Sequence, residues 1–221
     1  MQDFKYILFD LDGTLLDSGE GIINGLKYAL KLHGIDEQDM AVLKTFVGPP
    51  LVQHLMDVYG FSEDKARAVV VDFRKYYEPK GVFENRVYDG IPELLAQLRK
   101  MGRRIMVATS KPEFLAYKIL EQRGLKNSFD FIGGSVMDLK RTTKAEVIQY
   151  VLEENGINEA NFKELVMIGD TKYDIIGAKA FNITSIGVTY GYGSRKELEE
   201  AGADYIVDSP QEVFQILQTR Y

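Results

Sequence analysis

The chain is 221 residues long, 45% hydrophobic and 27% charged, with a formal net charge of −6. This length holds one large domain or two small ones, and the composition suits a globular protein with a buried core. The negative balance disfavours nucleic acid as a partner, the absence of cysteine excludes disulfides and thiolate metal sites, and two histidines, His33 and His54, are too few for a histidine-built zinc centre.

The first element is the most informative. Tyr6-Ile7-Leu8-Phe9 reads as a strand buried on both faces, and it ends in Asp10 and Asp12. A buried strand has no packing reason to finish in two like charges, which raise each other's pKa unless a cation lies between them. An oxygen-only set of this kind suits Mg²⁺. The plainer alternative is an Asx-type turn through Asp12-Gly13.

After Thr14 the pattern becomes helical. Ile22, Ile23, Leu26, Ala29 and Leu30 recur at helical spacing up to Gly34. Pro49-Pro50 opens a second helix that closes at Gly60, and Ser62-Glu63 starts a third that runs to Pro79. Residues 17–84 are therefore expected to form an all-helical insert, read as a lid. Within it, Gly48-Pro49-Pro50 offers a stiff turn, with His54, Arg74 and Lys80 as polar candidates for substrate contact.

From Tyr88 strands and helices alternate. A helix through Leu94, Leu95 and Leu98 precedes the strand Arg104–Ala108, which runs into Thr109-Ser110-Lys111. A helix over about 112–124, a strand over 129–132 and a helix over about 144–155 follow. The strand 165–168 ends in Gly169-Asp170, and a helix continues to Phe181. Strands at 183–186 and 205–207 and a helix over 210–217 complete the series. This alternation predicts an α/β fold, a doubly wound parallel sheet in a Rossmann-like core formed by residues 1–16 and 85–221.

Four polar clusters then fall at strand ends or helix starts: Asp10 with Asp12, Thr109 with Ser110, Lys144, and Asp170 with Asp174. A parallel sheet brings such ends to one edge. In this arrangement the sequence resembles the haloacid dehalogenase-like hydrolases over nearly its whole length. Asp10-Leu11-Asp12-Gly13-Thr14 matches the first motif, Val107-Ala108-Thr109-Ser110-Lys111-Pro112 the second, and Gly169-Asp170-Thr171-Lys172-Tyr173-Asp174 the fourth. Lys144 falls where the third motif's lysine is expected, although Ala145 follows it where many relatives have proline; Lys140 and Lys111 are alternatives. The insert with Val47-Gly48-Pro49-Pro50-Leu51 is similar to the phosphoglycolate-phosphatase-like and 5′-nucleotidase-like branches.

The resemblance implies a Mg²⁺-dependent phosphatase of small phosphate monoesters. Asp10 would be the nucleophile that forms an aspartyl-phosphate, and Asp12 the general acid and base. Thr109, Ser110, Lys144 and Gly13 would contact the phosphoryl group, with Thr109 and Lys144 also catalytic. Asp10, Asp12 (through its carbonyl), Asp170 and Asp174 would serve the metal, Asp174 by holding a metal-bound water or by orienting Lys144. A phosphosugar mutase would use the same residues, and a receiver-like phospho-aspartate signalling domain is the alternative from another class. No apolar run nears the about 20 residues of a membrane span, and the chain enters its first strand without a basic-then-apolar leader. The expectation is a cytoplasmic monomer or homodimer, with neither membrane nor nucleic-acid polymer as partner.

Overall fold

A computed structural model describes residues 3–136, 141 and 143–218. In chain order the strands are β1 (Tyr6–Phe9), the two-residue β2 (Leu16–Asp17) and β3 (Arg86–Val87), then β4 (Arg104–Pro112), β5 (Phe131–Ser135), β6 (Leu165–Gly169), β7 (Thr184–Val188) and β8 (Tyr205–Val207). The helices are α1 (Gly19–Leu32), α2 (Met40–Lys44), α3 (Leu51–Tyr59), α4 (Glu63–Tyr77), α5 (Ile91–Lys100), α6 (Glu113–Gln122), α7 (Lys144–Glu154), α8 (Lys172–Lys179), α9 (Arg195–Ala201) and α10 (Pro210–Gln218). Two compact units result, one of residues 1–16 and 87–221 and one of residues 17–86.

In the larger unit six strands form a single parallel sheet in the order β5-β4-β1-β6-β7-β8. This is the α/β, doubly wound sheet expected from the alternation of elements. Its logic is visible in β1, where Ile7, Leu8 and Phe9 are all fully buried. Successive side chains of a strand face opposite ways, so a continuous apolar run requires cover on both faces. On one face Leu8, Met106 and Met167 pack with Val147, Ile148 and Val151 of α7 and Ala178 of α8. The strand order reverses between β1 and β6, the place where such sheets open a crevice at their carboxyl ends.

The smaller unit is helical. The Ser62 hydroxyl caps α4 by accepting from Lys65 N–H, and Gly60 closes α3 in the left-handed conformation. Apolar side chains of α1 and α4, among them Leu26, Leu30, Val69 and Phe73, form its interior. Among the described residues no helix is long and apolar enough to cross a membrane.

Two differences from the sequence reading stand out. β4 does not stop at Ala108 but continues to Pro112, through a register shift between Thr109 and Pro112 where it pairs with β5. The helix α9 was not anticipated, although Ser194 caps it by accepting from Glu197 N–H and Gly202 ends it in the left-handed conformation. Its seven residues carry one buried side chain, Leu198, too little periodicity to register as a helix.

Leu8→Ala would remove a fully buried side chain from the central strand. It is expected to cost about 2–5 kcal/mol, read as a lower urea midpoint at unchanged slope. A midpoint equal to wild type would contradict this account of the core.

Candidate active site

Strand ends deliver the first two acids. Asp10 follows β1, its N–H donating to the Ile168 carbonyl of β6 at 2.9 Å. Asp170 follows β6 itself. Beyond Asp10 the chain turns sharply, and Gly13 adopts φ +81° while donating to the Leu16 carbonyl at 2.8 Å. A Cβ on Gly13 would lie 2.1 Å from Asp170 Oδ2, so only glycine permits this approach. Gly169 is under the same constraint, since a Cβ there would lie 2.2 Å from Asp174 Cγ.

Helix starts deliver the rest. Lys144 opens α7 behind a capping box between Thr143 and Glu146. Asp174 lies in the first turn of α8, and its Oδ2 accepts from Thr171 N–H at 3.1 Å and Thr171 Oγ1 at 2.9 Å. That pair of bonds fixes the rotamer and turns Oδ1 towards Lys144. Lys144 Nζ lies 2.7 Å from Asp174 Oδ1, 2.8 Å from Asp10 Oδ1 and 3.0 Å from the Ala108 carbonyl. The first two are ion-pair distances, yet neither Oδ1 gains a well-directed hydrogen bond from any described residue.

One oxygen each from Asp10, Asp170 and Asp174 lies within 4.8 Å of the others, and all three side chains are buried. Asp170 is held on both sides, accepting from Thr14 Oγ1 at 3.2 Å and from Tyr192 N–H at 2.8 Å. The electrostatics follow from this crowding. Burial pushes the Asp10 carboxyl up, Lys144 draws it down, and Asp174 and Asp12 push it up again, leaving it at about 6 against an ordinary 3.8. Burial, then Asp174 and Asp10, raise the Asp170 carboxyl well above its ordinary 3.8 despite the Tyr192 N–H. Burial works against the Lys144 ammonium, but Asp10 and Asp174 outweigh it and hold its pKa above the usual value. Hard oxygen donors, mutually repelling and gathered within 4.8 Å of one another, fit a divalent cation.

Asp12 stands apart from that cluster. Both its carboxylate oxygens are taken by Lys111 Nζ, at 2.9 and 2.6 Å, so its side chain is not one of the three converging acids. Thr109 is buried, its Oγ1 accepting from Lys111 N–H at 3.2 Å, while Ser110 is half-buried. Of the three candidate lysines, Lys144 lies against the nucleophile candidate, Lys111 lies against Asp12, and Lys140 lies outside the described residues. Sequence reasoning did not single out the segment Thr189–Gly193 after β7. Tyr192 there donates to Asp170, and Tyr190 Oη donates to the Thr14 carbonyl at 3.0 Å. Its Gly191 and Gly193 were the available signal, because a Cβ on either would collide with Asp170.

Residues 7–188 match the haloacid dehalogenase-like hydrolase family. The chain belongs to this family. It is 45% identical over 195 residues to a 5′-nucleotidase of Pseudomonas aeruginosa, covering 88% of this chain and 87% of that one. It is 38% identical over 192 residues to the tyrosine-protein kinase PtkA of Mycobacterium tuberculosis, covering 86% of this chain and 63% of that one. A crystal structure of a predicted phosphatase from Clostridium acetobutylicum superposes with a TM-score of 0.93 at 47% identity, over 98% of this chain and all of that one.

The raised Asp10 pKa has a consequence for stability. Folding of the metal-free protein favours the neutral carboxyl, so the stability this group contributes is present at low pH and lost as pH rises from 3.8 through about 6. Asp10→Asn is therefore expected to raise the Tm of EDTA-treated protein by a few degrees near neutral pH, with the advantage shrinking as the pH is lowered. Melting curves followed by circular dichroism would check this, and a lower Tm for the variant at neutral pH would contradict it.

Proposed function

We propose that this chain is a Mg²⁺-dependent phosphatase of small phosphate monoesters that works through an aspartyl-phosphate on Asp10. The observation that carries the reading is Asp10 at the tip of β1, with Lys144 Nζ 2.8 Å from its Oδ1 and two further buried acids beside it. Such a site suits attack on a phosphoryl group, where positioning and positive charge do most of the work.

A carboxylate oxygen of Asp10 attacks phosphorus, and the bond from phosphorus to the leaving oxygen breaks. Asp12 in its acid form gives its proton to that oxygen, releasing the alcohol. The Asp12 carboxylate then takes a proton from water, whose oxygen attacks phosphorus as the Asp10–phosphorus bond breaks. Inorganic phosphate leaves and Asp10 is restored. A positioned acid and base of this kind contributes about 10² to 10⁴ in rate. Lys144 and the Thr109 hydroxyl meet the negative charge of the phosphoryl oxygens, with Ser110 beside them; Gly13, its N–H committed to the Leu16 carbonyl, serves by giving the turn room next to Asp170. Asp174 orients Lys144, to which its Oδ1 is paired at 2.7 Å. Held by Asp10, Asp170 and the main-chain carbonyl of Asp12, Mg²⁺ would supply further positive charge to the transferring group.

The helical unit of residues 17–86 is proposed to act as a lid that selects the leaving group. Nucleoside monophosphates are the favoured substrates, because a 5′-nucleotidase shares 45% of aligned residues; phosphoglycolate is the other candidate, from the motif resemblance. The kinase name of the mycobacterial relative raises a second reading, in which the phosphoryl group passes from Asp10 to a tyrosine hydroxyl instead of water.

A panel of phosphate monoesters with Mg²⁺, assayed for inorganic phosphate, tests the proposal. Release from nucleotides or phosphoglycolate is expected, with loss of at least about 10³-fold in Asp10→Asn and silence in EDTA. Full activity in Asp10→Asn would overturn the nucleophile assignment. Phosphotyrosine formation from ATP without phosphate release would favour the kinase reading.

A further inference from the structure

Lys111 and Asp12 form a buried pair that the reaction scheme leaves without a task. Lys111 Nζ lies 2.6 Å from Asp12 Oδ2 and 2.9 Å from Oδ1, with about 4% of the lysine side chain and 10% of the aspartate side chain exposed. Strand geometry explains how a lysine arrives there. Pairing of β4 with β5 matches Thr109 to Gly134 and then Pro112 to Ser135, so Ser110 and Lys111 occupy an irregularity in the ladder. Irregularities of this kind re-aim side chains near active sites. Thr109 and Lys111 are both buried, and the Lys111 N–H bonds to Thr109 Oγ1 at 3.2 Å. The same strand end thus carries one group proposed to meet phosphate and one that grips Asp12. Lys144 meanwhile lies against Asp10 and Asp174, and Lys111 against Asp12.

We infer that Lys111 is a positioning residue for Asp12: by bonding both carboxylate oxygens it fixes the side chain's resting rotamer, from which proton transfer to and from the reacting oxygens proceeds. The inference rests on the phosphatase reading for its kinetic consequence, but the pair itself does not depend on that reading. Side chains that merely aim a reacting group are worth up to about 10² in rate when lost. Loss of aim harms most the substrates that need the proton. An alkyl phosphate leaves as a strongly basic alkoxide, whereas p-nitrophenol leaves readily without protonation.

The test uses Lys111→Met, Asp12→Asn and the double variant. In urea unfolding of the metal-free proteins, the midpoint shifts of the single variants are expected not to add, because the two side chains are in direct contact and either substitution removes the same pair of bonds. Additive shifts overturn the pair whether or not the protein is an active phosphatase. In turnover, Lys111→Met is expected to lose about 10- to 100-fold in kcat on an alkyl phosphate with little change in KM. The rate of Asp10 phosphorylation by p-nitrophenyl phosphate, read from the p-nitrophenol burst, is expected to stay within a few-fold of wild type. An equal loss in the rate of Asp10 phosphorylation by both substrates, or a rise in KM shared by both, overturns the inference and makes Lys111 a phosphate ligand. Non-additive unfolding together with a wild-type protein that releases phosphate from no monoester would instead overturn the phosphatase reading and leave the pair standing.

Discussion

Crowded negative charge is the constraint on which this site depends. Asp10, Asp170 and Asp174 bring oxygens within 4.8 Å of one another in the protein interior. At that spacing two unit charges repel by about 3.5 kcal/mol even at an effective dielectric constant of 20. Four acids, Asp12 included, face two buried lysines, Lys111 and Lys144. With all four acids ionised two negative charges remain, which a divalent cation would offset. Raised carboxyl pKa values at Asp10 and Asp170 are the expression of this imbalance in the metal-free chain.

The scaffold makes such crowding tolerable. Asp10 and Asp170 project from adjacent parallel strands at the point where the sheet's order reverses, and each is anchored by backbone bonds rather than by its own solvation. Gly13, Gly169 and Gly191 let main chain approach the carboxylates at distances a side chain would forbid. Much of the glycine near the site therefore serves close contact with the acids. Stability given up in this way is a familiar cost of a preorganised polar site.

The sheet was legible because β1, β6 and residues 105–108 of β4 are uninterrupted apolar runs, and a strand covered on both faces leaves that mark. Asp10 and Asp170 were legible for the opposite reason, as charges where packing asks for none. Which lysine meets which acid was not legible. Lys111 reaches Asp12 across 99 positions of sequence through an irregularity in β4 that no local pattern announces. The Tyr192 N–H on Asp170 is a backbone donor with no residue signature of its own, and only the flanking Gly191 and Gly193 marked the segment. The seven-residue α9 escaped because its one buried apolar residue makes no period, although its Ser194 and Gly202 caps were there to be read.

Membership of the haloacid dehalogenase-like hydrolases accords with this geometry, and it leaves the charge balance as the physical question. Calorimetric titration of the metal-free protein with Mg²⁺ near neutral pH addresses it most directly. Saturable binding of one ion is predicted, weakened at least tenfold in Asp170→Asn, with proton release as the raised carboxyls ionise. No binding to the wild-type chain, or equal affinity in the variant, would contradict the account.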